Sequence, residues 1–256
     1  MPAIRRTIKK ATYAILFGLL IAGVLIIVVV PDILRLRPEQ ATPTTQPESI
    51  VVESVDTVLH NDLVDIVTRI RNPNPRAGVP EYIVTFVLLD SAGAEVGRLR
   101  EIAYLLPGSL NYIAALNVPL SAALSQVRVE TTDQPQFVAV APSSSLPTFN
   151  SFLRGRSRRA INSIDAVETQ KGVIRNTSTL GFQRVDITGV AFDANDNVVG
   201  ISKTFVGQFA VGEQREFTLE WPAPVVPTQR VIILPATNIF SEDNILNAQG
   251  DPSLLR

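Results

Sequence analysis

The chain contains no cysteine, which excludes disulfide frameworks, zinc-thiolate sites and thiol nucleophiles. It does not identify a compartment, because an exported protein can also lack disulfides. There is one histidine, His60, which leaves the chain poorly equipped for a histidine-based metal site or triad. Neither sign of charge is in excess: 23 Lys and Arg face 24 Asp and Glu, for a net −1. No global field therefore favours nucleic acid. There is no Gly-x-Ser-x-Gly elbow either. Proline, by contrast, is plentiful. Eighteen prolines in 256 residues suit a chain of strands and loops.

One long apolar run stands out. "ATYAILFGLLIAGVLIIVVV", residues 11–30, carries no charge, and twenty helical residues rise about 30 Å, the thickness of a bilayer's hydrocarbon core. Arg5, Arg6, Lys9 and Lys10 precede it, so the positive-inside rule places the N-terminus in the cytoplasm. Arg35 and Arg37 on the far side oppose that bias without outweighing it. A cleaved signal peptide has a shorter apolar region and a small-residue cleavage site, and a core helix apolar on every side does not suit a small soluble domain. The run is read as an uncleaved anchor in contact with membrane lipid. "PDILRLRPEQATPTTQPES", residues 31–49, follows with four prolines and reads as an extended tether.

From residue 50 the pattern changes to short β-branched runs broken by turn residues. The text is written twice. Ile70-Arg71-Asn72 returns as Ile174-Arg175-Asn176, Asp90 as Asp193, Val96-Gly97 as Val199-Gly200, and Gly108 as Gly212. Val127 and Val129 match Val231 and Ile233. The constant spacing predicts two tandem units. "LLDSAGAEVG" and "AFDANDNVVG" read as hairpins. In "EYIVTFVLLD", Tyr82, Val84, Phe86 and Leu88 share one face, but the opposite face is apolar too, so the inward side stays open.

Phe86-Val87-Leu88-Leu89-Asp90 resembles the Phe-x-Leu-Tyr-Asp signature of FxLYD domains, with Leu89 in the Tyr position. Ala191-Phe192-Asp193 keeps the aromatic and the Asp but has Gly189 where the Phe would stand. Asn72-Pro73-Asn74 resembles the Asn-Pro-Asn of late-embryogenesis-abundant (WHy) domains; the second unit has Asn176-Thr177-Ser178 instead. The resemblance spans most of residues 50–240 and implies small Ig-like or fibronectin-III-like antiparallel β-sandwiches. The layout is similar to that of bacterial single-pass membrane proteins. It implies a fold and no reaction.

The expected organisation is a basic cytoplasmic tail (1–10), a transmembrane helix (11–30), a Pro-rich linker (31–49), a first sandwich (50–140), a linker (141–151), a second sandwich (152–241) and a C-terminal tail (242–256). The candidate interaction residues are Arg154, Arg156, Arg158 and Arg159 of "LRGRSRRA", with Asn72 and Asn74. The arginines could bind phosphate-rich wall polymer, lipid headgroups or an acidic partner; the plainer reading is a solvated strand or loop. The Asn-Pro-Asn-Pro amides could meet a ligand, and the plainer reading is a rigid turn. "DANDN", Asp193–Asn197, begins like a calcium loop but has Val198 at position six and Thr204 at position twelve, so a turn is preferred. No catalytic residue, metal ligand or cofactor is expected. The expected function is a non-enzymatic envelope interaction or scaffolding module with a protein partner and no nucleic acid. A lipid or small-molecule binding module comes second and an unrecognised hydrolase last.

Overall fold

The computed structural model describes residues 46–60, 62–119, 124–140, 146–161, 166–222 and 226–246. The expected transmembrane helix, the basic tail and nearly all of the tether lie outside them. Among the described residues no helix is long and apolar enough to cross a membrane. They are mainly strand, and every strand pairing is antiparallel.

The N-terminal half holds β1 (Val51–His60), β2 (Leu63–Arg71), β3 (Ala77–Leu89), β4 (Glu95–Leu105), β5 (Leu110–Pro119), β6 (Gln126–Thr131) and β7 (Val138–Ala139). The C-terminal half holds β8 (Phe149–Ala160), β9 (Ala166–Asn176), β10 (Gly181–Phe192), β11 (Val198–Phe209), β12 (Gln214–Pro222), β13 (Arg230–Ala236) and β14 (Ile245–Leu246). In the first half one sheet runs β1-β2-β5 and the other β4-β3-β6, with β7 on the start of β3. In the second, the sheets run β8-β9-β12 and β11-β10-β13, with β14 on the start of β10. The order repeats strand for strand. β8 begins at Phe149, inside the stretch read as a linker, and β14 lies inside the stretch read as a tail.

Each half closes two sheets over its own core, because alternate residues of each strand point inward. Tyr82, Val84, Phe86 and Leu88 of β3 face Val64, Ile66 and Ile70 of β2, which settles the inward side of β3. In the second half Trp221, Phe217 and Leu219 of β12 meet Phe182, Val185 and Ile187 of β10. Glycines make room for the aromatics. A Cβ on Gly200 would stand 2.6 Å from the Trp221 ring, and one on Gly172 would stand 2.3 Å from Phe217.

A third apolar cluster joins the halves. Val67, Tyr112 and Ala114, on the outward face of the β1-β2-β5 sheet, pack with Val190, Phe192 and Ile201, on the outward face of the β11-β10-β13 sheet. Tyr112 meets Phe192 edge to face, with ring centroids 6.4 Å apart. Around this cluster both sheets are buried on both sides, and the described residues from Pro47 onward form one compact unit.

The duplicated positions show how the pairing is chosen. Where β4 and β6 carry Arg98, Arg128 and Glu130, the matching strands β11 and β13 carry Ile201, Ile232 and Leu234. Where β2 and β5 carry Val67, Tyr112 and Leu116, β9 and β12 carry Lys171, Glu216 and Glu220. Each half thus has one apolar and one charged outer face, on opposite sheets. The apolar faces meet and the charged ones remain outside, where Arg98 pairs with Glu95 and Glu130 at 2.9 and 2.7 Å.

Candidate functional site

The repeated asparagines are structural. Asn72 is fully buried at the end of β2; its Nδ2 donates to the carbonyls of Ala77 (2.8 Å) and Leu106 (2.9 Å), and its Oδ1 accepts from the Asn74 amide (3.0 Å). Asn176 does the same at the end of β9: Nδ2 donates to Leu180 and Ala210 carbonyls at 2.9 and 3.1 Å, and Oδ1 accepts from the Ser178 amide at 3.0 Å. Each asparagine ties the strand end to the backbone of two neighbouring loops. Asn74 exchanges two hydrogen bonds with the Glu48 backbone, at 2.7 and 2.8 Å. Ser178 does so with Thr148. As candidate interaction residues Asn72 and Asn74 are therefore poorly placed, since both are buried and their amides are engaged within the chain.

The four arginines lie on β8, an exposed strand at one end of its sheet. A bulge between Leu153 and Arg156 breaks the alternation and divides them. Arg154 pairs with Glu216 at 2.7 Å on the outer face. Arg156 pairs at 3.0 Å with Glu168, which is buried and also accepts from Thr228 at 3.0 Å. Arg158 stands opposite Glu168 in register, and Arg159 stands opposite Val167, on the other face. The run that looks like one basic patch is split between two faces of a sheet and partly neutralised.

Asp193 closes a turn. Its Oδ1 accepts the amides of Asn195 (2.8 Å) and Asn197 (2.9 Å), and its Oδ2 the Asn197 side chain (2.9 Å). These bonds, led by the Asn197 side chain, hold its carboxyl below the usual aspartate range. Asp90 receives the amides of Ala92 and Ala94 in the same way. Among the described residues no three His, Asp or Glu side chains cluster as metal ligands. His60 ends β1, with Nε2 3.2 Å from Asp65 Oδ2 and Nδ1 3.1 Å from the Leu63 carbonyl. Burial pushes the Asp65 carboxyl up, against the bond it accepts from the Asn117 amide and the nearby imidazole.

A cleft of about 300 Å3 opens beside the inter-half cluster, between β4 and β5 on one side and β10, β11 and β13 on the other. Lys203, on β11, sends its ammonium across the junction to the Ala114 carbonyl at 2.9 Å. The residue is exposed overall, while desolvation of the amine lowers its pKa, against the pull of Glu101 and Asp186. Asp186 accepts from Arg184 Nε at 2.7 Å, and the Arg184 guanidinium lies 4.1 Å from the Phe205 ring centroid. Tyr104 faces Asp186; burial first, then that negative charge, push its hydroxyl upward. Phe205 and Ile102 stand at the rim, 54% and 62% exposed. None of these residues forms a motif. They come from strands of both halves, and only the inter-half packing assembles them. The charged-for-apolar exchange between duplicated positions is the sequence signal that could have located this junction.

No family model matches the chain, and a search of curated proteins finds no similar sequence.

Proposed function

We propose that the chain is a single-pass, N-in plasma-membrane protein displaying two Ig-like sandwiches of the FxLYD or WHy kind outside the cytoplasm. They act as one non-enzymatic binding block of the cell envelope. The anchor rests on the apolar length and basic flank of residues 11–30. The observation that carries the binding reading is the apolar cluster between the halves. A flexible pair of beads needs no such contact; a block that presents both halves to one partner in fixed orientation does. The charged outer sheets are the surfaces such a block offers.

The test is crosslinking in native membranes followed by identification of the captured protein, with wild type and a Val190→Asp variant that separates the halves. A discrete partner lost in the variant, while each half keeps its near-ultraviolet circular dichroism, supports the reading. Equal capture by both contradicts it. A second reading, a small-molecule binding module, is favoured by one observation, the cleft around Lys203.

A further inference from the structure

The two halves dock head to tail, and a head-to-tail contact leaves one surface of each kind free at the ends. The four sheets follow one another as β4-β3-β6, β1-β2-β5, β11-β10-β13 and β8-β9-β12. Strand for strand, the third is the counterpart of the first and the fourth of the second. A second copy of the chain could therefore add at either end by repeating the contact that the halves already make. We infer that the charged outer sheets are caps that stop this self-stacking at two units. The caps leave the outer sheets free for a different protein, and they act whatever that protein is.

The residues exchanged are those of the contact itself. Beyond the exchanges at Val67, Tyr112 and Leu116, the junction includes Leu110 and Ala114, whose counterparts are Gln214 and Thr218. All five counterparts are polar and exposed. On the other side of the junction Ile201, Ile232 and Leu234 are joined by Val198, whose counterpart is Glu95. In repeat proteins a polar outer face on the terminal unit serves the same purpose.

Val87 shows how the first cap is built. Its counterpart is Val190, fully buried in the junction. Register sets Arg98 and Arg128 on either side of Val87, and Val87 is fully buried although both arginines are exposed. The arginine stems roof it. Their heads are held in place, Arg98 by Glu95 and Glu130, and Arg128 by Glu130 at 3.1 Å. In the second cap Glu216 is paired with Arg154 at 2.7 Å. Closing another sheet over either face would strip water from charges that already have partners.

The test copies each junction surface onto the matching outer sheet of the full-length chain. One variant, with Arg98→Ile, Arg128→Ile and Glu130→Leu, loses the first cap. The other, with Lys171→Val, Glu216→Tyr and Glu220→Leu, loses the second. Sedimentation velocity in detergent micelles, with one partner fluorescently tagged, gives the Kd of each pairing. Wild type mixed with either variant sets the baseline, which includes any pairing through other parts of the chain. The two variants should bind each other at least tenfold more tightly than that baseline, while each with itself stays at it. A chain carrying all six substitutions should form species longer than two. Near-ultraviolet circular dichroism checks each fold, and the milder pair, Arg98→Ile with Glu216→Tyr, decides if a triple variant does not fold: it should bind at least threefold above its own baseline. Folded variants that bind each other no better than the baseline overturn the inference. So does self-pairing of either variant as tight as the mixed pair, a folded six-substitution chain that stays the size of wild type, or a milder pair with no preference.

Discussion

Asn72 and Asn176 show how much one amide can organise. Each is itself fully buried where a strand ends and two loops approach, and each supplies both donor and acceptor to the backbone around it. Replacing Asn176 by Ala removes the bonds its side chain donates to the Leu180, Phe209 and Ala210 carbonyls and accepts from the Ser178 amide, at a cost of roughly 1–3 kcal/mol; urea unfolding should show it as a lower midpoint at unchanged slope. Asn176→Asp should cost more, because a carboxylate would face those carbonyls. The repeated Ile-Arg-Asn is legible in sequence as a landmark, but its burial is not, since asparagine at a strand end reads equally well as an exposed turn. Asp193 gives a pH signature. Its folded pKa lies below the ordinary value of about 4, so its stabilisation is complete above that value and is lost as pH falls through the lowered one. The stability gap between wild type and Asp193→Asn should therefore shrink between pH 7 and pH 3; a constant gap would show that the carboxylate contributes nothing.

At the scale of elements, strands with an apolar alternation can be read from sequence almost residue for residue. "EVGRLREIAYL" is β4 from end to end. β8 is different. Its text, "FNSFLRGRSRRA", has no apolar period, because the strand is exposed along most of its length and bulged in the middle. Burial writes the pattern that sequence reading depends on, so an exposed strand at a sheet edge leaves little trace. Its counterpart β1 also carries a bulge, between Val52 and Ser54. Bulges and charges on such strands discourage pairing with another chain. The sheets are set by close packing too. Gly200→Ala would drive a methyl into the Trp221 ring and should cost about 1–3 kcal/mol by overpacking, with a shift in tryptophan fluorescence. An unchanged thermal midpoint would mean that the ring moves aside freely.

The whole molecule is two copies of one strand order joined out of register. The first half offers its β1-β2-β5 sheet, the second the sheet equivalent to the first half's other one. Sequence shows the duplication but not this pairing, since β10 alternates Val185 and Ile187 with Asp186 and Thr188 and so reads as a half-exposed strand. The cleft escapes for the same reason: Lys203, Asp186 and Tyr104 are ordinary residues until the halves are docked. Phe192→Ala should cost about 3–5 kcal/mol, the usual range for a buried Phe. It should also split one cooperative unfolding transition into two, by calorimetry.

All of this has its proposed use only on the outer side of a membrane, and the lack of cysteine makes that directly measurable. A single Thr218→Cys, on the exposed face of β12, can be treated in intact cells with a membrane-impermeant maleimide. The account predicts full labelling before the cells are opened. Labelling that appears only after lysis would place the block in the cytoplasm and contradict it.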